Sequence, residues 1–406
     1  MIIEEMKKIW RPGMLLVLLV LGFIFYTIRM EFYISNFPNG PYDRGLYTMC
    51  RQMVETYGTS LSKEGYEEVK ASRKDVRAAA DAYVKGYVIG KKYGLKTYKQ
   101  FAEFEQKTYE EVTGKNAADQ NEKYMDMMRM KNYLESEETD NILGRLQAVY
   151  YVSEAYETVR KYKNDLLNVY GDTMTAEELE HVSKNYFGQT QMWQNILPYG
   201  VVEAVGSYAG SLLVWMCLSV CLLLSPLLVY DRMSRMQALQ YSSRRGRRIY
   251  GSQLAAVMIS AGILTTINLV VFGGLFAAHG TSAFFSCRMY SFLSWQVFCW
   301  PNWTHGGWCL MLVLMCDLVS FGMAGVVFFL SRSCTNYITM LLKILPIFVA
   351  SAVICPKMME YAFYFNNQLY RWSGLPYVEI LCAAGSFVLG MVLCGIGRRA
   401  VYKKNI

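Results

Sequence analysis

Residues 231–252 read DRMSRMQALQYSSRRGRRIYGS. This stretch gathers Arg232, Arg235, Arg244, Arg245, Arg247 and Arg248 between two long apolar runs. Short loops with clustered Lys and Arg stay on the cytoplasmic side of a membrane, so this loop orients its neighbours. Asp231 opens it, and Met233, Met236, Leu239 and Tyr241 give it an apolar side that charge alone does not explain. A topology signal needs only the arginines. An apolar face beside them is what a contact with a second, cytoplasmic chain requires.

Composition agrees with a membrane setting. The chain has 406 residues, of which 53% are apolar and 18% charged, unlike an ordinary soluble domain. The charge is segregated: residues 31–205 are rich in Lys, Glu, Asp and Tyr, whereas 206–397 are nearly free of charge outside short loops. Two such regimes imply two solvents, water and lipid. The net charge of +8 is therefore a positive-inside signal. No basic stripe with interleaved aromatics marks a nucleic-acid partner. Most of the 11 cysteines lie in apolar runs, where a thiol acts as a small hydrophobe. Cys50 stands alone in the polar region, while Cys287 and Cys299 share one loop and could pair. No CxxC occurs, and His181, His279 and His305 lack metal-ligand spacing, so no metal site is expected.

Taken in order, residues 1–13 (MIIEEMKKIWRPG) put Ile2, Ile3, Met6, Ile9 and Trp10 on one helical face. They read as an interfacial helix anchored by Trp10, with a disordered start as the alternative. Residues 14–30 form the first span; a signal peptide competes, but no small-residue cleavage pattern follows. Residues 31–205 read as a helical extracellular domain. Its patterns run over 43–57, 64–93, 98–113, 119–137, 140–170 and 175–195, with a capping box at Thr175 and Glu178. The KGYVIGKKYG repeat of Gly86, Gly90 and Gly94 is either a close crossing or ligand loop, or an ordinary weak helix end. Further spans are expected at 206–230, 253–278, 307–330, 337–356 and 376–397. The cationic loop occupies 231–252, an aromatic external loop 279–306, an external segment 357–375 and a cytoplasmic tail 398–406. The aromatic loop is expected to be re-entrant or to lie along the outer interface. The fold class is thus an all-α membrane protein with six transmembrane helices, an interfacial helix before the first, and a large helical extracellular domain between the first and second. Both termini are expected in the cytoplasm.

No catalytic signature appears. GxxxxGK[ST], HExxH and GxSxG are all missing, so no catalytic residue is assigned and no nucleotide is expected on this chain. Asp317 and Lys343 lie within expected spans, where a charge implies a function or a partner. They stand on consecutive helices, but the helical rise offsets them by roughly 10 Å. They either form a pair, or Lys343 reaches toward the inner surface, or both line a transport path.

The layout resembles the permease subunits of bacterial ABC-2 type transporters. The similarity rests on MIIEEMKKIWRPG, on Asp231 followed by LQYSSRRGRR, on the aromatic stretch before the last span, and on GRRAVYKK after it. It covers about half the chain, and the insertion at 31–205 departs from it. The resemblance implies a plasma-membrane exporter subunit without a cofactor of its own. A separate ABC ATPase subunit would bind ATP and Mg, and a second permease copy or paralogue would complete the path through the bilayer. That ATPase would contact Asp231, Met233, Met236, Leu239, Tyr241, Arg244, Arg245, Arg247 and Arg248. The rival expectation is a sensor or mechanotransmission protein whose extracellular domain signals without moving cargo.

Overall fold

Proline and glycine punctuate the start of the chain. Helix α1 (Ile2–Ile9) ends three residues before Pro12, which opens α2 (Pro12–Ser35). Proline suits a first helical turn because its missing N–H would be unpaired there anyway. A computed structural model describes residues 1–114, 120–161, 174–186, 194–233, 249–294 and 297–404. Next come α3 (Pro41–Tyr57), α4 (Lys63–Gly86), α5 (Val88–Lys92), α6 (Tyr98–Gly114), α7 (Gln120–Leu134), α8 (Ile142–Lys161) and α9 (Ala176–His181). The remainder is α10 (Tyr199–Met233), α11 (Ile249–Ala277), α12 (His305–Ser331), α13 (Tyr337–Met359), α14 (Gln368–Ser373) and α15 (Val378–Lys404). Among the described residues there is no strand, only two isolated bridges. Six helices are long and apolar enough to cross a bilayer: α2, α10, α11, α12, α13 and α15. The chain has the build of a multi-pass membrane protein.

The chain divides into two compact units. The first comprises residues 1–35, 202–282 and 299–406 and carries the apolar helices. Helix α10 is its most enclosed member. Asn268 of α11 clasps α10 by accepting from Trp215 Nε1 at 3.0 Å and donating to Ser219 Oγ at 3.1 Å. Each polar atom in that bridge finds a partner, as an apolar interior demands. Helices α12 and α15 meet backbone to backbone: a Cβ added at Gly322 would lie 2.4 Å from the Ser386 carbonyl oxygen. Small residues allow such approach in membranes, where dispersion and not water drives association. At the far end of these helices, Trp308 Nε1 donates to the Ala362 carbonyl at 3.1 Å and the Trp300 amide to the Phe363 carbonyl at 2.9 Å. Asn367 caps α14 and also donates to the Lys357 and Glu360 carbonyls.

The second unit comprises residues 36–201 and 283–298. Its core joins Val76, Ala80 and Val84 of α4 to Phe101 of α6, Met130 of α7, and Ile142, Leu146 and Val149 of α8. The helix expected over 64–93 breaks at Tyr87, whose extended backbone separates α4 from α5. The glycine repeat explains the break. A Cβ at Gly90 would sit 1.9 Å from the Val84 carbonyl oxygen, and Gly94 ends α5 with φ +68°. The capping box forms as read, with the Glu178 amide on Thr175 Oγ1 and the Thr175 amide on Glu178 Oε2.

The expected external aromatic loop 279–306 is divided: residues 283–298 group with this unit and its two ends with the other. Ser291 Oγ donates to the Asn195 carbonyl at 2.6 Å and accepts from the Leu197 amide, while Tyr290 stacks on Tyr186 with ring centroids 3.6 Å apart. The aromatics that suggested a membrane interface find protein partners. Cys287 and Cys299, which could have paired, are not joined by a disulfide. Cys287 belongs to this unit and Cys299 to the other, where its thiol meets the Pro301 carbonyl at 3.3 Å.

Candidate functional site: a charged clasp around Asp231

Asp231 lies near the end of α10 and is 2% exposed. A buried carboxylate requires compensation, and here it comes from the start of the chain. Lys8 Nζ of α1 sits 3.1 Å from Asp231 Oδ1 and 3.2 Å from Oδ2. The same ammonium reaches Glu5 at 3.0 Å, and Gln253 Nε2 of α11 donates to Asp231 Oδ2 at 3.3 Å. Burial pulls the Lys8 ammonium down, but hydrogen bonds to Glu5 and Asp231 outweigh it and hold it above the ordinary lysine value.

Neighbouring residues extend the clasp. Arg11 lies over the Tyr230 ring at 3.9 Å, and Trp10 Nε1 donates to Ser260 Oγ of α11 at 3.0 Å. Arg232 donates to two carbonyls of the α12–α13 turn, Cys334 at 2.8 Å and Arg332 at 2.5 Å. Arg332 in turn covers the Tyr250 ring at 4.7 Å, and Tyr250 donates to the Cys394 carbonyl of α15. Hydrogen bonds and cation–ring contacts thus run from α1 through α10 and α11 to α12, α13 and α15. The charges in this arrangement are spent on helix termini and on each other.

The expected contact residues divide sharply. Asp231 is buried in the clasp, and Met233 beside it is exposed. Met236, Leu239, Tyr241, Arg244, Arg245, Arg247 and Arg248 lie outside the described residues. Trp10 is half-buried and bonded to Ser260, so its indole N–H is held by protein. On α1 the packed face is Glu5 and Ile9, whereas Ile2 and Ile3 are exposed. Glu5 and Lys8, read from the sequence as the polar side of an interfacial helix, are the charges that dock on protein.

Asp317 and Lys343 do not pair. Lys343 Nζ turns to Ser333 Oγ at 2.8 Å, toward the α12–α13 turn, as a long side chain does when it seeks polar surroundings. Among the described residues Asp317, half-buried on α12, has no hydrogen-bond or ion-pair partner. The axial offset between the two explains the outcome. A third charge in the spans, Glu379 at the start of α15, escaped the sequence reading. It is 1% exposed; Oε1 accepts from the Phe363 amide at 3.1 Å, and Oε2 has no partner. Glu5, Lys8 and Gln253 were missed as site residues too. The available signal was that an Asp ending an apolar run needs a cation, but nothing in the sequence singled out Lys8 as that cation.

No group of three or more His, Cys, Asp or Glu side chains suited to a metal ion occurs among the described residues. The chain matches no family model, no curated protein and no solved structure. The clasp therefore has to be interpreted from its own geometry.

Proposed function

We propose that the chain is the membrane-spanning subunit of an ATP-driven exporter of the ABC-2 type, with ATP and Mg bound by a separate ATPase subunit. The observation that carries this reading is the ion pair of Lys8 with Asp231. It fixes a short helix preceding the first span to the root of the cationic segment 234–248. A force applied to that segment would reach α1 and α10 together, and through Arg232 the α12–α13 turn. The exposed Ile2 and Ile3 suit a helix lying along a membrane surface with its charged side against protein. In this reading both termini and residues 234–248 face the cytoplasm, and the unit of residues 36–201 and 283–298 lies outside the plasma membrane. A second permease copy or paralogue completes the path, and Asp317, half-buried and unpartnered, is the residue of α12 that such a path would use.

The test replaces Arg244, Arg245, Arg247 and Arg248 together by Gln in the tagged full chain expressed in its own host. Wild type should co-purify with a Mg-dependent ATPase activity, and the variant should lose at least tenfold of it. Equal recovery would reduce the arginines to a topology signal.

A sensor or mechanotransmission role is favoured by one observation, the backbone contact of α12 with α15, which leaves no room between those two helices. Cargo accumulation in inverted vesicles on adding ATP supports export; ATPase activity without any accumulation supports transmission.

A further inference from the structure

The second unit holds a cleft of about 470 Å³ between α3, α4 and the start of α8, within the size range of ligand sites. Met49, Met53, Val69, Val76 and Val149 supply its apolar floor. The unbranched methionines can adapt to more than one side chain. Along its α3 wall stand Thr48, Gln52 and Thr56, spaced four residues apart and all exposed. That spacing rises about 6 Å on a helix, close to the roughly 6.6 Å two-residue repeat of an extended strand. Thr48 spends its hydroxyl proton on the Arg44 carbonyl, leaving its oxygen free to accept, while Gln52 and Thr56 keep both roles. Such a wall matches the same-side backbone groups of an extended chain.

Charge defines the two ends. The Gly45–Gly144 contact brings the start of α3 against the start of α8. There Glu135, Glu137 and Asp140 face Arg44 and Arg145. Arg145 is committed to Asp140 at 2.5 Å, and among the described residues Glu135 and Glu137 make no hydrogen bond or ion pair. At the other end stands Glu68, which accepts from Tyr57 at 2.7 Å. Each end is thus net acidic, although the chain as a whole carries +8. From Arg44 to Tyr57 the wall runs about 20 Å, or six residues of extended peptide. We infer that this cleft binds an extended peptide of about six residues with a basic side chain toward each end. The peptide's lysines or arginines would meet the carboxylates, its apolar side chains the Met and Val floor, and its backbone the α3 wall. Burial, opposed by Lys131 and aided by Glu105, pushes the Glu135 carboxyl up, so affinity should fall on acidification sooner than an exposed glutamate would give.

The experiment uses the full chain in phosphatidylcholine nanodiscs, whose lipid carries no net charge. Fluorescence anisotropy follows a labelled hexapeptide Lys-Val-Ser-Val-Ser-Lys and its counterpart with Glu at both ends. The basic peptide should bind, and the acidic one should bind at least tenfold more weakly. E68Q/E137Q, which alters two exposed side chains, should weaken the basic peptide at least tenfold, and Q52W should do so by filling the furrow. Thermal unfolding of both variants should match wild type. No binding of the basic peptide, equal binding of both peptides, or unchanged affinity in both folded variants would each overturn the assignment. No ATPase takes part, so the result is independent of the exporter reading.

Discussion

Replacing Lys8 by methionine keeps the aliphatic stem and removes the ammonium shared by Glu5 and Asp231. The side chains concerned are 22%, 8% and 3% exposed respectively. Breaking a buried ion pair by deleting one partner costs about 3–5 kcal/mol, because the surviving charge stays buried. Lys8 is partly solvated, and Asp231 retains Gln253, so about 2–3 kcal/mol is expected for K8M. In K8M/D231N one of the two stranded carboxylates is gone while Glu5 keeps the other, and about 1–2 kcal/mol should return as a coupling energy. The assay is reversible unfolding of the full chain in mixed micelles, run as a double-mutant cycle. The pH dependence follows from the raised value of Lys8. The pair's contribution is complete below the ordinary lysine pKa of about 10.4 and is lost only as pH rises through the higher folded value. The K8M deficit should therefore be flat from neutrality to mildly alkaline pH. Losses that simply add in the double variant, or a K8M change under about 0.5 kcal/mol, would refute the clasp.

Other variants address the rest of the first unit. Gly322→Leu drives a side chain into the Ser386 carbonyl; it should cost at least the roughly 1–3 kcal/mol of overpacking and lower the melting temperature in detergent. Because Asp317 and Lys343 do not pair, the effects of D317N and K343M on unfolding should add within about 0.5 kcal/mol. A larger coupling would mean that the two side chains meet after all.

Much of the architecture was legible because hydrocarbon imposes a length on any helix that crosses it. Six apolar runs are visible in the sequence, and six helices of that kind form. Their ends were less readable: α10 begins at Tyr199, seven residues before its apolar run, because a helix can continue past the apolar zone through Glu203. Tyr87 was missed as a break because the periodicity on either side remains helical. Only the approach of Gly90 to the Val84 carbonyl forces the chain to extend there. The clasp was half visible. Asp231 stood out at the root of the cationic loop, but Lys8 lies 223 positions away, and helical spacing shows which residues share a face without showing which face meets protein. The packing partners of residues 283–298 were hidden for a related reason, since aromatic side chains suit a lipid headgroup region and a protein core equally.

The orientation of residues 234–248 bears most directly on the account. A membrane-impermeant maleimide can be applied to whole cells carrying S242C or, as the reference, K74C on an exposed position of α4. K74C should react in intact cells, and S242C should react only after permeabilisation. Labelling of S242C in intact cells would put the cationic segment on the outside, beyond the reach of any cytoplasmic ATPase.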